Sequence, residues 1–97
     1  MNKVKIGIVG FGNIGLSHSK SLTSGKVPEM EMTAICDVLE ERREMAKKLY
    51  PSVQVFDNAE ALFSSGACDT VLISTRHYSH PELATQALAH GLNVLVE

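Results

Sequence analysis

The sequence predicts an α/β fold of three layers, with a doubly wound parallel sheet between two layers of helices and a strand order of 3-2-1-4-5. Three observations lead there. Short apolar runs alternate with segments of helical periodicity along all 97 residues. The connections between them are short, which favours right-handed crossovers between neighbouring parallel strands. The run Thr70-Val71-Leu72-Ile73-Ser74 is nearly unbroken in apolar character, as a strand covered on both faces requires.

Each element has its own signals. Val4-Lys5-Ile6-Gly7-Ile8-Val9 reads as the first strand, and Gly10 begins a tight turn. A helix over 14–24 follows, with Ile14, His18 and Leu22 spaced i, i+4, i+8 on a stripe that turns His18 toward the sheet. Gly25 and Pro28 end it. Residues 30–36 form the second strand, closed by Asp37. A second helix over 39–50 places Leu39, Arg43, Ala46, Leu49 and Tyr50 inward, and Pro51 stops it. The third strand, 53–56, is short.

Asp57 and Glu60 fit a capping box, which predicts a brief helix over 59–64. The fourth strand covers 70–74. Ser79 and Glu82 fit a second capping box, with Pro81 in the first turn, where its missing N–H costs nothing. The helix they start carries Ala84, Ala87 and Leu88 on one face and ends at Gly91, beside His90, whose charge would complement the helix C-terminus. Residues 93–96 are the fifth strand. A complete domain of this type has a sixth strand, for which no residues follow, so strand five is expected either at an edge or paired with something else.

Composition narrows the function classes. Hydrophobic residues make up 44% and charged residues 21%, an ordinary globular balance. A net charge of −2 gives no footing for a nucleic-acid or anionic-membrane partner. No apolar run approaches the roughly 18 residues needed to cross a membrane. Cys36 and Cys68 stand alone, without metal-ligand spacing, so neither a zinc site nor a disulfide scaffold is expected and a reducing, cytoplasmic setting fits. The four histidines are scattered, and no Ser/His/Asp or Cys/His set is spaced for nucleophilic catalysis.

The chemistry gathers at Gly10-Phe11-Gly12-Asn13-Ile14-Gly15, a GxGxxG turn after a strand and at the start of a helix. Gly10 makes the tight turn, Gly12 lets backbone approach a pyrophosphate, and Gly15 lets the helix pack close to the strand. Unpaired amides at the helix start and the helix dipole then face an anionic ligand. This is the Rossmann pattern. Asp37 lies 22 residues after Gly15 at the end of strand two, where a carboxylate accepts hydrogen bonds from the adenosine ribose. It could also cap the second helix, with Glu40 completing a capping box. A 2′-phosphate beside this acid would meet repulsion, so NAD is expected over NADP.

Beyond the fingerprint, the chain resembles the N-terminal domain of the glucose–fructose oxidoreductase / inositol dehydrogenase / rhizopine-catabolism (Gfo/Idh/MocA) family over its whole length. The carriers are residues 4–15 with His18, then Ala34-Ile35-Cys36-Asp37, and most specifically Ile73-Ser74-Thr75-Arg76-His77-Tyr78-Ser79-His80-Pro81-Glu82-Leu83-Ala84 with Ala87-Leu88, Gly91 and 93–97. The resemblance implies that Ser74, Thr75 and His77 lie along the nicotinamide half of the cofactor, with Glu97 near its ribose. The family's Glu-Lys-Pro would put the proton-transfer lysine just after Glu97, leaving no catalytic residue within 1–97. The family usually has proline where this chain has Arg76. An arginine there could meet cofactor phosphate or an acidic substrate, though a solvated loop charge is the simpler reading.

The resemblance further implies a parent NAD(P)-dependent oxidoreductase acting on a hydroxyl or carbonyl carbon of a sugar or cyclitol. Its substrate and oligomerisation domain would lie outside residues 1–97, the parent would be a homo-oligomer, and the 97 residues alone would bind NAD weakly without turnover. A non-catalytic dinucleotide-responsive regulator is the alternative. A methyltransferase using S-adenosylmethionine is disfavoured by the strand-four run and the position of Gly15.

Overall fold

The computed structural model describes residues 4–23, 29–74 and 80–96. Strands and helices alternate as β1 (Val4–Val9), α1 (Asn13–Thr23), β2 (Met30–Cys36), α2 (Glu40–Leu49), β3 (Gln54–Phe56), α3 (Ala59–Ser64), β4 (Thr70–Ile73), α4 (His80–Ala89) and β5 (Asn93–Val96). All strand pairs are parallel, and they build a five-stranded sheet in the order β3-β2-β1-β4-β5. The order reverses beside β1, so the carboxyl ends of β1, β2 and β4 converge at a switch point.

Two apolar cores cover the two faces of the sheet. On one face Ile6, Ile8, Met32, Ile35 and Leu72 meet Phe11 and Ala46, with Leu16, Leu22, Met45 and Tyr50 packed around them. On the other, Val9, Ala34, Cys36, Val71 and Ile73 meet Leu62 and Phe63 of α3 and Ala87 of α4. β4 is buried along its full length because its alternate side chains enter both cores.

One irregularity lies in β2. The β1–β2 register pairs Ile6 with Met32 and Gly7 with Ala34, which leaves Thr33 as an extra residue. A bulge of this kind inverts the side-chain alternation. That is why Met32 and Ile35, of opposite parity, enter the same core. The Thr33 hydroxyl donates to the Ala67 carbonyl at 2.6 Å, which fixes the bulge against the loop before β4.

Several expected side-chain placements differ. In α1 the fully buried polar residue is Ser19, while His18 is only half-buried, so the inward face runs through Gly15, Ser19 and Leu22. In α2 Leu39 and Leu49 are exposed, and Met45 and Ala46 turn inward with Tyr50. In α4 Leu88 is exposed and Leu83 packs in its place. The helix stripes are narrower than the apolar count suggests, because short neighbours such as Ala46 and Ala87 sit nearest the sheet.

Two caps also differ. α3 is capped by Asn58, whose Oδ1 accepts from the Ala61 N–H at 2.8 Å, while Asp57 bonds the Asn58 side-chain amide instead. At α2 the N-cap position is Leu39, with no side-chain cap, so Asp37 does not fill that role. Ser79 lies outside the described residues. His90 follows α4, its Nε2 3.5 Å from the Glu60 carboxylate of α3 and its ring tilted against Phe63.

Candidate functional site

The turn after β1 is fixed by hydrogen bonds from three directions. Gly10 has φ of +96°, a conformation that strains any residue with a side chain. Its N–H donates to the Cys36 carbonyl at 2.8 Å, holding the turn against the end of β2. Its carbonyl accepts from the Ser74 hydroxyl at 2.6 Å, holding it against the end of β4. The next N–H, of Phe11, donates to Asp37 Oδ2 at 2.8 Å. The peptide joining Gly10 to Phe11 is therefore gripped at its oxygen by one strand end and at its nitrogen by another.

Phe11 contributes through its backbone alone. Its side chain is fully buried and meets Tyr50 edge-on, with ring centroids 6.4 Å apart. Tyr50 in turn shares a 2.9 Å hydrogen bond with the Ser19 hydroxyl, which also donates to the Leu16 carbonyl. The aromatic pair and this hydroxyl contact tie the turn, α1 and α2 together.

The two later glycines do different things. A Cβ on Gly15 would collide with the Gly10 carbonyl oxygen and approach Ser74 Oγ to 3.0 Å. Close contact between α1 and the turn therefore requires glycine. A Cβ on Gly12 would meet nothing within 4 Å among the described residues, so those residues leave the space over it clear. The Leu16 N–H bonds the Gly12 carbonyl at 2.8 Å, so the amides of Asn13, Ile14 and Gly15 precede the helical ladder and have no intrahelical acceptor. A clear space bordered by such amides fits a diphosphate.

Asp37 occupies the rim beside this space, half-exposed. Oδ1 accepts from the Leu39 N–H at 2.9 Å and Oδ2 from the Phe11 N–H, so the carboxylate is fixed by both oxygens. Each oxygen keeps a further lone pair for a sugar hydroxyl. Arg43 Nη1 donates to the carbonyls of Asp37 and Val38, both at 2.9 Å, and pins the loop that carries the acid. Val38 and Leu39 are exposed beside it.

The cysteines lie apart from this chemistry. Both are free and buried. Burial, with Asp37 and Asp57 nearby, pushes the Cys36 thiol up to about 12, and burial with Asp69 pushes Cys68 up to about 11. Both stay protonated at neutral pH. Among the described residues, no group of three or more His, Cys, Asp or Glu could hold a metal ion. No helix among them is long and apolar enough to cross a membrane.

The model of the Gfo/Idh/MocA oxidoreductase family, NAD-binding Rossmann fold, matches residues 4–97. The chain belongs to this family. Among curated Gfo/Idh/MocA relatives, it is 27% identical to an inositol 2-dehydrogenase of Arthrobacter sp. over 97% of this chain and 28% of the relative. It is 28% identical to glucose-6-phosphate 3-dehydrogenase of Bacillus subtilis over 96% of this chain and 25% of the relative. The chain thus spans between a quarter and a third of these relatives' length.

Solved structures agree. The scyllo-inositol dehydrogenase of Lactobacillus casei, with bound NAD(H) and scyllo-inositol, superposes with a TM-score of 0.90 at 26% identity, over 98% of this chain and 28% of that one. An NAD-binding protein from Listeria innocua is 32% identical with a TM-score of 0.85, over 98% of this chain and 27% of that one.

Of the residues singled out in the sequence, the fold brings Gly10, Phe11, Gly12, Gly15, Asp37 and Ser74 together at the switch point, with Asn13 and Ile14 opening α1. Thr75, Arg76, His77 and Glu97 lie outside the described residues. The Ser74 hydroxyl donates to the Gly10 carbonyl, a contact that the sequence did not signal. Arg43 is half-buried on the face of α2 that carries Ala46 and Tyr50, and its grip on the Asp37 loop had no signal beyond a basic residue one turn into α2.

Proposed function

We propose that residues 1–97 form the NAD-binding domain of an oxidoreductase that moves a hydride at a hydroxyl or carbonyl carbon of a sugar, cyclitol or similar polyol. The observation that carries this reading is the fixed Gly10–Phe11 peptide beside the clear space over Gly12, with Asp37 at its rim. In this reading the amides at the start of α1 receive the diphosphate, and the helix dipole adds to the attraction. Asp37 accepts from the adenosine ribose hydroxyls, each such bond to a charged acceptor contributing about 1.5–3 kcal/mol. Ser74, Thr75, His77 and Glu97 lie toward the nicotinamide half.

NAD supplies the hydride acceptor when bound; the residues of this chain bind and orient it. The role assigned to residues 1–97 is to bind and orient the cofactor; proton transfer at the substrate is assigned to none of them. The substrate class rests on the inositol and sugar-phosphate dehydrogenases among the relatives. NAD is favoured over NADP because a 2′-phosphate at Asp37 would face like-charge repulsion of about 4 kcal/mol per charge pair at 4 Å in a medium of intermediate polarity.

The test is parallel calorimetric titration with NADH and NADPH. NADH is expected to bind at least tenfold more tightly. Equal affinities would refute the role given to Asp37, and binding of neither would refute the cofactor assignment.

A further inference from the structure

The Ser74 side chain invites a role different from a contact with the nicotinamide half. Its Oγ lies 2.6 Å from the Gly10 carbonyl, 64 residues away in sequence, while its own N–H continues the ladder to the Val9 carbonyl at 2.9 Å. The carbonyl it holds belongs to the same peptide whose N–H donates to Asp37. A peptide plane fixed at both its oxygen and its nitrogen cannot rotate. Gly10, at φ of +96°, is the residue whose flexibility would otherwise let it turn. The Gly15 backbone lies against the same carbonyl, closely enough that a Cβ there would displace it.

We propose that Ser74 is a positioning residue for cofactor binding: with Asp37 it clamps the Gly10–Phe11 peptide and so sets the aim of the amides that follow at the start of α1. The inference rests on the dinucleotide reading and deepens it. Ser74 acts on the diphosphate through Gly10 and touches no part of the nicotinamide. In the clamp, β4 and β2 hold one peptide of the β1–α1 turn between them, so three elements converge on a single plane. The aim of the amides then depends on a residue far outside the GxGxxG segment.

The clamp and a nicotinamide contact differ in which ligand feels the loss of the hydroxyl. ADP-ribose carries the diphosphate and the adenosine ribose but no nicotinamide. In Ser74→Ala, the affinities for NADH and ADP-ribose are expected to fall by the same factor, about tenfold for one lost hydrogen bond. The Phe11 amide resonance of the ligand-free chain is expected to shift and its hydrogen exchange to quicken.

A loss confined to NADH, with ADP-ribose unaffected, would overturn the proposal in favour of direct contact. So would unchanged affinity for both, or an unmoved Phe11 amide. If Ser74→Ala does not fold, Ser74→Thr carries the test, since it keeps the hydroxyl. It is expected to hold both affinities within about twofold with the Phe11 amide in place, and loss of both with that amide unmoved would contradict the clamp. Failure of the unsubstituted chain to bind either ligand would remove the dinucleotide reading itself, and the clamp's role with it.

Discussion

The Phe11 N–H donates to Asp37 Oδ2 at 2.8 Å, across 26 residues of sequence, and joins the glycine turn to the end of β2. The bond gives the acid a structural duty as well as a chemical one. Asp37 is held in place before any ribose arrives, and the turn is held in place by the group that would bind the ribose. Stability and cofactor affinity are therefore coupled at this residue.

Asp37→Asn separates those duties. Both carboxylate oxygens accept backbone N–H groups, from Phe11 and Leu39, but an amide has one oxygen and must turn its NH2 toward one of the two donors. The expected cost is about 1–3 kcal/mol in urea unfolding. NADH affinity should fall and the preference over NADPH should shrink, both read by titration.

Gly12→Ala and Gly15→Ala should part company. An added methyl meets nothing at Gly12 but collides with the Gly10 carbonyl at Gly15. Gly12→Ala is expected to leave the unfolding midpoint nearly unchanged and to abolish measurable NADH binding. Gly15→Ala is expected to lose about 1–3 kcal/mol of stability, the usual cost of overpacking, along with binding. Denaturant melts paired with titrations read both effects.

Tyr50→Phe removes one partner of the buried Ser19 hydroxyl, which keeps its bond to the Leu16 carbonyl. The expected loss is about 0.5–1.5 kcal/mol in urea unfolding. NADH affinity should be preserved, because the Phe11–Tyr50 ring contact survives.

The thiols make an alkaline prediction. Cys36 and Cys68 are raised in the folded chain to about 12 and about 11 from an ordinary value of 9.0. Unfolding therefore releases their protons more readily as pH rises. Their contribution to stability is complete below pH 9.0 and is lost on rising through about 11 for Cys68 and about 12 for Cys36. Urea midpoints across that range should fall, and less so in a Cys36→Ala, Cys68→Ala double variant. A thiol reagent at pH 8 should react slowly with the native chain and quickly once it is unfolded.

What the sequence made legible follows from the range of the forces involved. The strands 4–9, 30–36 and 93–96 and the short helix 59–64 match the observed bounds, because their apolar runs and turn residues act locally. The sheet order and the glycine turn followed from the same short-range signals.

The failures lie where a partner is distant in sequence or where packing selects among similar side chains. Ser19 is buried with its hydroxyl satisfied by the Leu16 carbonyl and by Tyr50, 31 residues away. The bond from Ser74 to Gly10, across 64 residues, likewise has no local signal. Leu39, Leu49 and Leu88 share the composition of core residues yet are exposed, while Ala46 and Ala87 are fully buried. Nothing in a spacing rule distinguishes Asn58 from Asp57 as the cap of α3; the backbone geometry at the helix start decides it.

The most direct measurement is a crystal structure of the chain grown with NADH. Diphosphate oxygens are expected within about 3 Å of the amides at the start of α1, over Gly12, with a ribose hydroxyl on Asp37. A diphosphate bound elsewhere, or the Gly12 space left empty while the nucleotide occupies another surface, would contradict the assignment.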